Sequence, residues 1–175
     1  MFFVLELDKE IELPPRFFGP RLRETLEQKL HSEVEGTCSG AYGFIICVVS
    51  TESVSKGIIR EGTGSASFNV KYKCVVFRPF RGEVLDAVVT QVNKVGFFAE
   101  AGPLQIFVSS HLIPEDFELT TADEPSFVSA DGEVRIQLGS EVRLRVVGTR
   151  IDASDIFCVG TIKEDYLGVI GDPQA

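Results

Sequence analysis

The stretch RPFRGEVLDAVVTQVNKVGFFAEAGPLQIFVSS, residues 78–110, decides the fold of the second half of the chain. Its runs of β-prone residues are short, they are separated by glycine-containing turns, and none has a helical pattern. Together with the later sequence, the predicted strands are 83–92, 97–101, 104–108, 141–151 and 156–163. Five short strands with a long gap after the third are typical of an OB-fold barrel, which we predict over residues 81–175.

Residues 1–80 combine one helix with several strands. From Leu22 to Val34 an apolar residue recurs at every fourth position, which predicts one face of a helix. Pro20 suits the first turn because its missing N–H has no intrahelical acceptor there, and Gly36 suits the end. The predicted strands are 2–7, 42–50, 55–60 and 67–77. One helix against an antiparallel sheet indicates a small α/β sandwich, so the fold class of the whole chain is α+β.

The charge of the chain is acidic and unevenly distributed. The net charge is −9 over 175 residues, and much of the excess lies between residues 115 and 133. The acids there are Glu115, Asp116, Glu118, Asp123, Glu124, Asp131 and Glu133, without a lysine or arginine among them. This balance argues against a strong, nonspecific nucleic-acid binder of the basic-tail type. We interpret the acidic stretch as a solvated loop that repels RNA.

Membrane, zinc and disulfide classes are disfavoured by what the sequence lacks. The longest apolar run, residues 42–49, is far shorter than the roughly 20 residues of a membrane-spanning helix. Four cysteines without a CxxC pair and only two histidines argue against a zinc site. Cys47, Cys74 and Cys158 lie within apolar strands, so we predict buried thiols in a reducing compartment.

No pattern of catalytic residues is evident either. His31 falls on the charged flank of the predicted helix and His111 follows a strand, and neither belongs to a recognisable triad signature. The glycine-rich segment 60–65, REGTGS, leads into another strand rather than a helix, which is the wrong context for a phosphate-binding loop. We therefore predict a protein that is not an enzyme and that holds no cofactor or metal.

The barrel stretch resembles the OB-fold RNA-binding motif first described in a ribosomal small-subunit protein. The resemblance rests on Gly82-x-Val84-x-x-x-Val88, Gly96-Phe97-Phe98-Ala99, Gly102, Ile106-Phe107-Val108 and Ser110. It implies that Phe97, Ala99 and Ala101 point into the barrel, whereas Phe98 and Glu100 point out. Two positions that often stack on bases in that family carry Val95 and Val108 here. The predicted RNA-contacting residues are Lys94, Phe98, Arg143 and Arg145, the two arginines by outward alternation on one strand.

The whole chain resembles a narrower family. MFFVLEL, PPRFFGPRL, EVEGTCSGAYGFIICV, GTGSASFNVKYKCVVFRPFRGEVLDAVV and VGTIKEDYLGVI are together similar to the seventh-largest subunit family of eukaryotic RNA polymerase II, which has counterparts in archaeal polymerase and RNA polymerase III. The PPRFFGP and KEDYLGVI segments favour the polymerase II form. The resemblance implies a truncated RNP-like domain over residues 1–80, followed by the OB-fold barrel. It also implies a noncatalytic nuclear subunit that supports transcription initiation.

The same resemblance implies partners and contact residues. The family pairs with a smaller helical subunit, forms a stalk beside the RNA exit channel and guides emerging single-stranded RNA. The tip of its first domain docks on the polymerase core and maps here to Pro15, Phe17, Phe18, Gly19, Arg60, Gly62, Thr63 and Gly64. The hydrophobic end of the chain supplies candidate contacts with the smaller subunit, namely Tyr166, Leu167, Val169 and Ile170.

Several alternatives remain open from the residues themselves. Phe17 and Phe18 fit core packing as well as docking, and the terminal run fits a last strand that folds back on its own domain. In either version we expect that terminal run to be buried. The barrel face fits protein binding as well as RNA. For the whole chain, the alternatives are the equivalent stalk subunit of another nuclear polymerase, or a free-standing OB-fold RNA-binding protein of RNA decay or translation.

Overall fold

A computed structural model describes residues 1–120 and 125–171. The chain divides into two units, Met1–Arg78 and Pro79–Ala175. The first unit contains β1 (Phe2–Leu13), a 3-10 turn (Pro15–Phe17), α1 (Leu22–Val34), β2 (Cys38–Ser39), β3 (Gly43–Val54), β4 (Ile58–Ile59) and β5 (Ala66–Phe77). The second contains β6 (Val84–Asn93), β7 (Gly96–Ala101), β8 (Leu104–Ser109), a 3-10 turn (Ser110–Leu112), β9 (Phe117–Thr120), β10 (Ser126–Ser129), β11 (Arg135–Ile136), β12 (Glu141–Ile151), β13 (Ile156–Thr161) and β14 (Gly168–Val169).

The first unit is a helix packed on one face of an antiparallel sheet. The sheet order is β1-β5-β3-β2, with β4 paired to β5 beyond the end of β3. Leu26, Leu30 and Val34 of α1 are buried in one core with residues of the three long strands, β1, β3 and β5. On the sheet side that core contains Ile11, Leu13, Val70, Tyr72, Cys74 and Val76. This confirms the α/β sandwich that the helical and strand periods predicted.

Several predicted details of this unit are wrong. β3 extends to Val54 rather than ending at residue 50, and β4 covers only Ile58–Ile59 rather than residues 55–60. β1 runs over 12 residues rather than residues 2–7. The second half of β1 was not predicted because Lys9, a charged residue, lies on the buried face of the sheet and breaks the apolar alternation there. Its amine donates a hydrogen bond to the Glu33 carbonyl oxygen at 3.3 Å. Pro20 also lies one residue before the N-cap, Arg21, rather than in the first turn. Gly36 does follow the C-cap with a left-handed φ of 76°, as the end of the helix requires.

The second unit is a closed five-stranded barrel. Its sheet order is β13-β8-β7-β6-β12-β14, and pairing of β12 with β13 closes it. Alternate residues of every barrel strand fill the interior, as the two-residue period of strands dictates. They include Val89, Phe97, Ala99, Leu104, Ile106, Val108, Val142, Leu144, Val146, Ile156 and Cys158, all nearly inaccessible to solvent. The predicted OB-fold barrel is confirmed, with predicted strand ends within two residues of the observed ones.

The acidic stretch after β8 is not simply a solvated loop. It contributes to a three-stranded sheet in which β10 pairs with both β9 and β11. Phe127 and Ile136 are opposite each other in this sheet and both are buried, so the segment contributes apolar residues to the packed interior as well as acids to the surface. Glu115 lies 2.8 Å from the Lys163 amine. Asp123 and Glu124 lie outside the described residues.

The cysteines are free thiols in two different environments. Cys74 and Cys158 are buried, as predicted, and burial raises the pKa of Cys158 to about 11. Cys47 is exposed, which corrects the prediction. The physical reason is a register shift between Ile45 and Cys47, which turns Cys47 toward the sheet face opposite α1.

No helix within the described residues is long and apolar enough to cross a membrane. Within residues 1–120 and 125–171, no three His, Cys, Asp or Glu side chains are grouped so that they could hold a metal ion.

Candidate nucleic-acid interface and docking surfaces

Phe98 and Phe107 form the centre of the candidate nucleic-acid interface. Phe98 points out of the barrel from β7, as predicted, while its neighbour Phe97 is fully buried. Phe107 lies directly opposite on β8, and the two ring centroids are 4.9 Å apart at an interplanar angle of 44°. Two half-buried aromatic rings side by side are a surface on which an unpaired base can stack.

The neighbouring strand extends this surface. β13 runs parallel to β8, which places Val159 beside Phe107 and Phe157 beside Gln105. Phe157 and Val159 are 41% and 40% exposed, so both present apolar area to solvent. With Arg150, which lies opposite Phe157 on β12, they line a shallow depression of about 170 Å³. We call Phe98, Phe107, Phe157, Val159 and Arg150 the aromatic face.

Gly96 sets the orientation of these rings. It has a φ of 143°, and a Cβ added there would lie 2.0 Å from the carbonyl oxygen of Val108. Only glycine permits this close approach of β7 to β8. From Gly96 onward the side chains of β7 alternate, so that Phe97 is in the core and Phe98 is on the outside.

The expectation that Val108 occupies a stacking position is wrong. Val108 is completely buried, whereas the outward side chain on that part of β8 is Phe107. Val95 is 64% exposed and offers no ring. Phe107 and Phe157, which our sequence reasoning missed, place aromatic rings near Phe98 although Val95 and Val108 carry none. Their signal was present in the sequence, since alternation along β8 and β13 puts both on the same side as Phe98.

The predicted basic residues do not gather around Phe98. Arg143 and Arg145 do face out of the barrel, but Arg143 makes a two-pronged ion pair with Asp86, at 2.7 and 3.0 Å, and Arg145 pairs with Glu164. The Arg143 guanidinium holds the pKa of Asp86 below its usual value. Arg143 pairs with Asp86 of β6, and Phe98 pairs with Gln91 of the same strand. These two β6 positions are five residues, or roughly 16 Å, apart, so Arg143 lies well away from Phe98 along the barrel.

Two other cations are differently placed. Lys94 is exposed in the turn between β6 and β7, two residues before the start of β7. Arg150 has no ion-pair partner within residues 1–120 and 125–171, and it lies on the aromatic face itself. Arg150 is therefore the cation that the structure brings to the stacking surface, although the sequence analysis passed over it.

The two predicted docking segments of the first unit adjoin each other. A Cβ added to Gly64 would lie 3.5 Å from Pro15 Cγ, so the turn after β1 contacts the turn after β4. Phe17 and Phe18 are 38% and 41% exposed and lie outside the buried core, which removes the core-packing alternative. Gly19, Gly62 and Thr63 are exposed as well. We call residues 15–19 and 58–64 the tip.

The charged and apolar residues of the tip differ from expectation. Arg60 donates a hydrogen bond to Glu10 at 3.0 Å and lies 3.8 Å from Glu12, so its charge is matched within its own unit. Hydrogen bonds from Ser67 and Arg60 lower the pKa of Glu10. Ile58 and Ile59, 72% and 67% exposed, form the larger apolar surface and were not predicted.

The hydrophobic end of the chain folds back on its own barrel. β14 pairs with the start of β12, with Val169 opposite Val142, and the Ile170 amide donates to the Glu141 carbonyl oxygen at 2.8 Å. Leu167, Val169 and Ile170 are half-buried. Tyr166 is 97% exposed and has a left-handed φ of 66°, so the expectation that the whole run is buried is wrong for this residue.

Comparisons with known proteins identify relatives for both units. Residues 8–64 match the family described as "SHS2 domain found in N terminus of Rpb7p/Rpc25p/MJ0397", and residues 78–160 match the "S1 RNA binding domain". The chain is 60% identical over 173 residues to the DNA-directed RNA polymerase II subunit RPB7 of Glycine max, covering 99% of the chain and 98% of that protein. It is 59% identical over 175 residues to the DNA-directed RNA polymerase II subunit 7 of Arabidopsis thaliana, covering 100% and 99%. It is 56% identical over 173 residues to the DNA-directed RNA polymerase II subunit rpb7 of Dictyostelium discoideum, covering 98% of the chain and 100% of that protein.

Proposed function

The chain belongs to the family of DNA-directed RNA polymerase II subunit RPB7, and on that premise we propose that it is a noncatalytic subunit of polymerase II that contacts emerging single-stranded RNA. It acts in the nucleus and supports transcription initiation. The first unit docks on the polymerase core through the tip. A smaller helical subunit pairs with the chain, and together they form a stalk near the RNA exit channel.

The observation that carries this proposal is the aromatic face. Phe98 and Phe107 present adjacent rings on the outside of a barrel that matches the S1 RNA-binding domain. Stacking accepts every base, because every base has a π-face, which suits a subunit that meets RNA of any sequence. One cation, Arg150, adds a phosphate contact without making the face strongly basic. The result is weak and sequence-tolerant binding, suited to guiding a moving strand.

Docking through the tip is supported by its shape and composition. Gly64 lies close to Pro15, so the two turns adjoin, and Phe18 and Ile58 offer exposed apolar side chains on them. Exposed apolar residues on a glycine-containing surface permit close approach of another protein.

Pairing with a smaller subunit is supported by Tyr166. A fully exposed aromatic ring on a left-handed backbone costs the isolated chain free energy, and it buries almost none of its own area in return. A partner that covers the ring would recover that area. Leu167 and Val169 are half-buried beside it and would complete the contact.

Co-purification tests the proposal. A tagged chain is expected to bring down its smaller partner and the polymerase II core from nuclear extract. Replacing Gly62 and Gly64 with valine should prevent docking by placing branched side chains at φ values of 89° and 67° on the tip. RNA binding by the isolated chain should persist.

The matched control replaces Gly132 and Gly139 with valine. These glycines have φ values of 76° and 85°, have open space where a Cβ would lie, and belong to the second unit. The control should therefore suffer the same kind of backbone strain and still bring down the polymerase. A chain that is recovered without any polymerase subunit would support a free-standing RNA-binding protein instead.

A further inference from the structure

On one side of β5 the first sheet ends in β3 and then in β4. β3 is protected against pairing with a further strand, whereas β4 is not. β3 carries three register shifts in its pairing with β5, after Ile45, Val48 and Thr51, and on its outer side only its first two residues pair with β2. Bulges of this kind twist an edge away from incoming strands. β4 continues the same side of β5 but contains no register shift and no charged residue. Natural sheets seldom leave an apolar edge strand in this state.

Neither side chain of β4 belongs to the hydrophobic core among the described residues. Consecutive strand residues point to opposite faces, and both Ile58 and Ile59 are largely exposed, at 72% and 67%. Both residues are β-branched and so favour the strand conformation, although neither side chain is buried by it. Such a choice is expected where the strand serves as a template for another one.

The backbone of β4 is held in place. A Cβ at Gly57 would lie 2.7 Å from the Phe68 ring, so the start of the strand lies close against the sheet. At its other end the Arg60 amide donates to the Ser65 carbonyl oxygen at 2.8 Å, and the Arg60 side chain is fixed by Glu10. An edge fixed at both ends loses little conformational entropy when it binds.

The ladder pattern defines which backbone groups face outward. In an antiparallel pair, hydrogen-bonded and non-hydrogen-bonded positions alternate. Arg60 and Ser65 are joined by a backbone hydrogen bond, so they form a hydrogen-bonded pair. By alternation the pair Ile59 and Ala66 is not hydrogen-bonded, whereas the pair Ile58 and Ser67 is. The N–H and C=O of Ile59 therefore point away from β5, toward the open edge.

We propose that β4 receives an added strand, an extended apolar segment of the polymerase core that pairs with the N–H and C=O of Ile59 and packs on the side chains of Ile58 and Ile59. This inference rests on the proposed docking function of the tip and specifies its chemistry. The edge is continuous with the turn that contains Gly62 and Gly64, and an uncharged apolar edge calls for an uncharged apolar segment.

The test is binding of the full chain, paired with its smaller partner, to polymerase that lacks both subunits. Ile59→Pro removes the outward N–H and leaves the β4–β5 hydrogen bonds intact, so binding should weaken on the order of ten-fold. Replacing the Ile58–Ile59 peptide bond with an ester removes the same donor and keeps the side chain, and it should weaken binding similarly. Ile59→Thr keeps the donor and the β-branch and should lose less than either.

The outcomes separate the inference from the proposed function. Parent-like binding by both the proline and the ester variants overturns strand addition. If Gly62 and Gly64 valine replacements still weaken binding in that case, the tip docks in another way and the proposed function stands. If the proline variant weakens binding and the ester does not, the effect is steric and the inference falls. It also falls if Ile59→Pro abolishes self-association of the isolated chain, measured by sedimentation, and leaves polymerase binding unchanged.

Discussion

Removing one ring of the aromatic face should weaken RNA binding by an amount that the structure defines. Phe98→Ala or Phe107→Ala deletes a stacking platform that contributes about 1–3 kcal/mol per base, which corresponds to about 5- to 150-fold in affinity. The rings contact each other at a centroid distance of 4.9 Å. An aromatic pair of this kind is worth about 0.5–1.5 kcal/mol, and each single variant loses that ring–ring interaction as well as its own stacking platform. The double variant should therefore lose less binding free energy than the sum of the two single losses.

Fluorescence anisotropy with a labelled single-stranded RNA, repeated at several salt concentrations, separates stacking from charge. The phenylalanine variants should bind more weakly with an unchanged salt slope. Arg150→Gln should lower that slope by about 0.7, the value for one phosphate contact on a single strand. Arg143→Gln should change it little, because Asp86 already matches that charge at 2.7 Å. Phe80→Ala serves as the control, since Phe80 is 47% exposed and lies outside the aromatic face.

Two results would refute this reasoning. Parent-like RNA affinity in both phenylalanine variants would exclude the aromatic face as the RNA surface. A larger slope change for Arg143→Gln than for Arg150→Gln would mean that the ion pair with Asp86 opens in the complex and that RNA follows the other side of the barrel.

Three further predictions follow from single contacts. Gly96→Ala places a Cβ 2.0 Å from a carbonyl oxygen and should destabilise the barrel by about 2–4 kcal/mol in urea unfolding, whereas Gly102→Ala, with open space for its Cβ, should cost less. Hydrogen bonds from the Val48 amide and then from His31 hold the pKa of Glu35 below its usual value of 4.5. The ionised carboxylate therefore stabilises the fold at pH values above 4.5, and this stabilisation is lost as the pH falls through the lower pKa of the folded state. In Glu35→Gln the melting temperature should therefore fall less steeply below pH 4.5. Maleimide should label Cys47 in the native chain much faster than the buried thiols, which mass spectrometry would measure, and equal labelling would contradict the register shift at this position.

The fold was predictable where one local period governs a segment. β12 was expected over residues 141–151 and spans Glu141–Ile151, because apolar residues at alternate positions fill a barrel that has polar groups outside. β1 was predicted too short because Lys9 occupies an inward position and breaks the apparent alternation. Its amine escapes burial by reaching the end of α1, a tertiary contact that no local pattern contains.

The candidate site was predictable one strand at a time and not as a whole. Alternation correctly turned Phe98, Arg143 and Arg145 outward, because direction depends only on a residue's own strand. The assembly of Phe98 with Phe107 and Phe157 depends on the register of β7 with β8 and on the parallel pairing of β8 with β13. Register between strands distant in sequence is set by the closed barrel, so it was not available from spacing.

Charge pairing within the second unit bears on how an acidic chain would contact RNA under the proposed function. Arg143, Arg145 and Lys163 are three of the seven basic residues after position 80, and each is held by a carboxylate of its own unit. Two of the three cations that were predicted to contact RNA, Arg143 and Arg145, are therefore matched by carboxylates within the fold. With one cation on the aromatic face, affinity must come chiefly from apolar and aromatic area, which salt screens little. If RNA binds there as proposed, we expect such a surface to hold the strand more loosely than a basic groove would, with little dependence on base sequence.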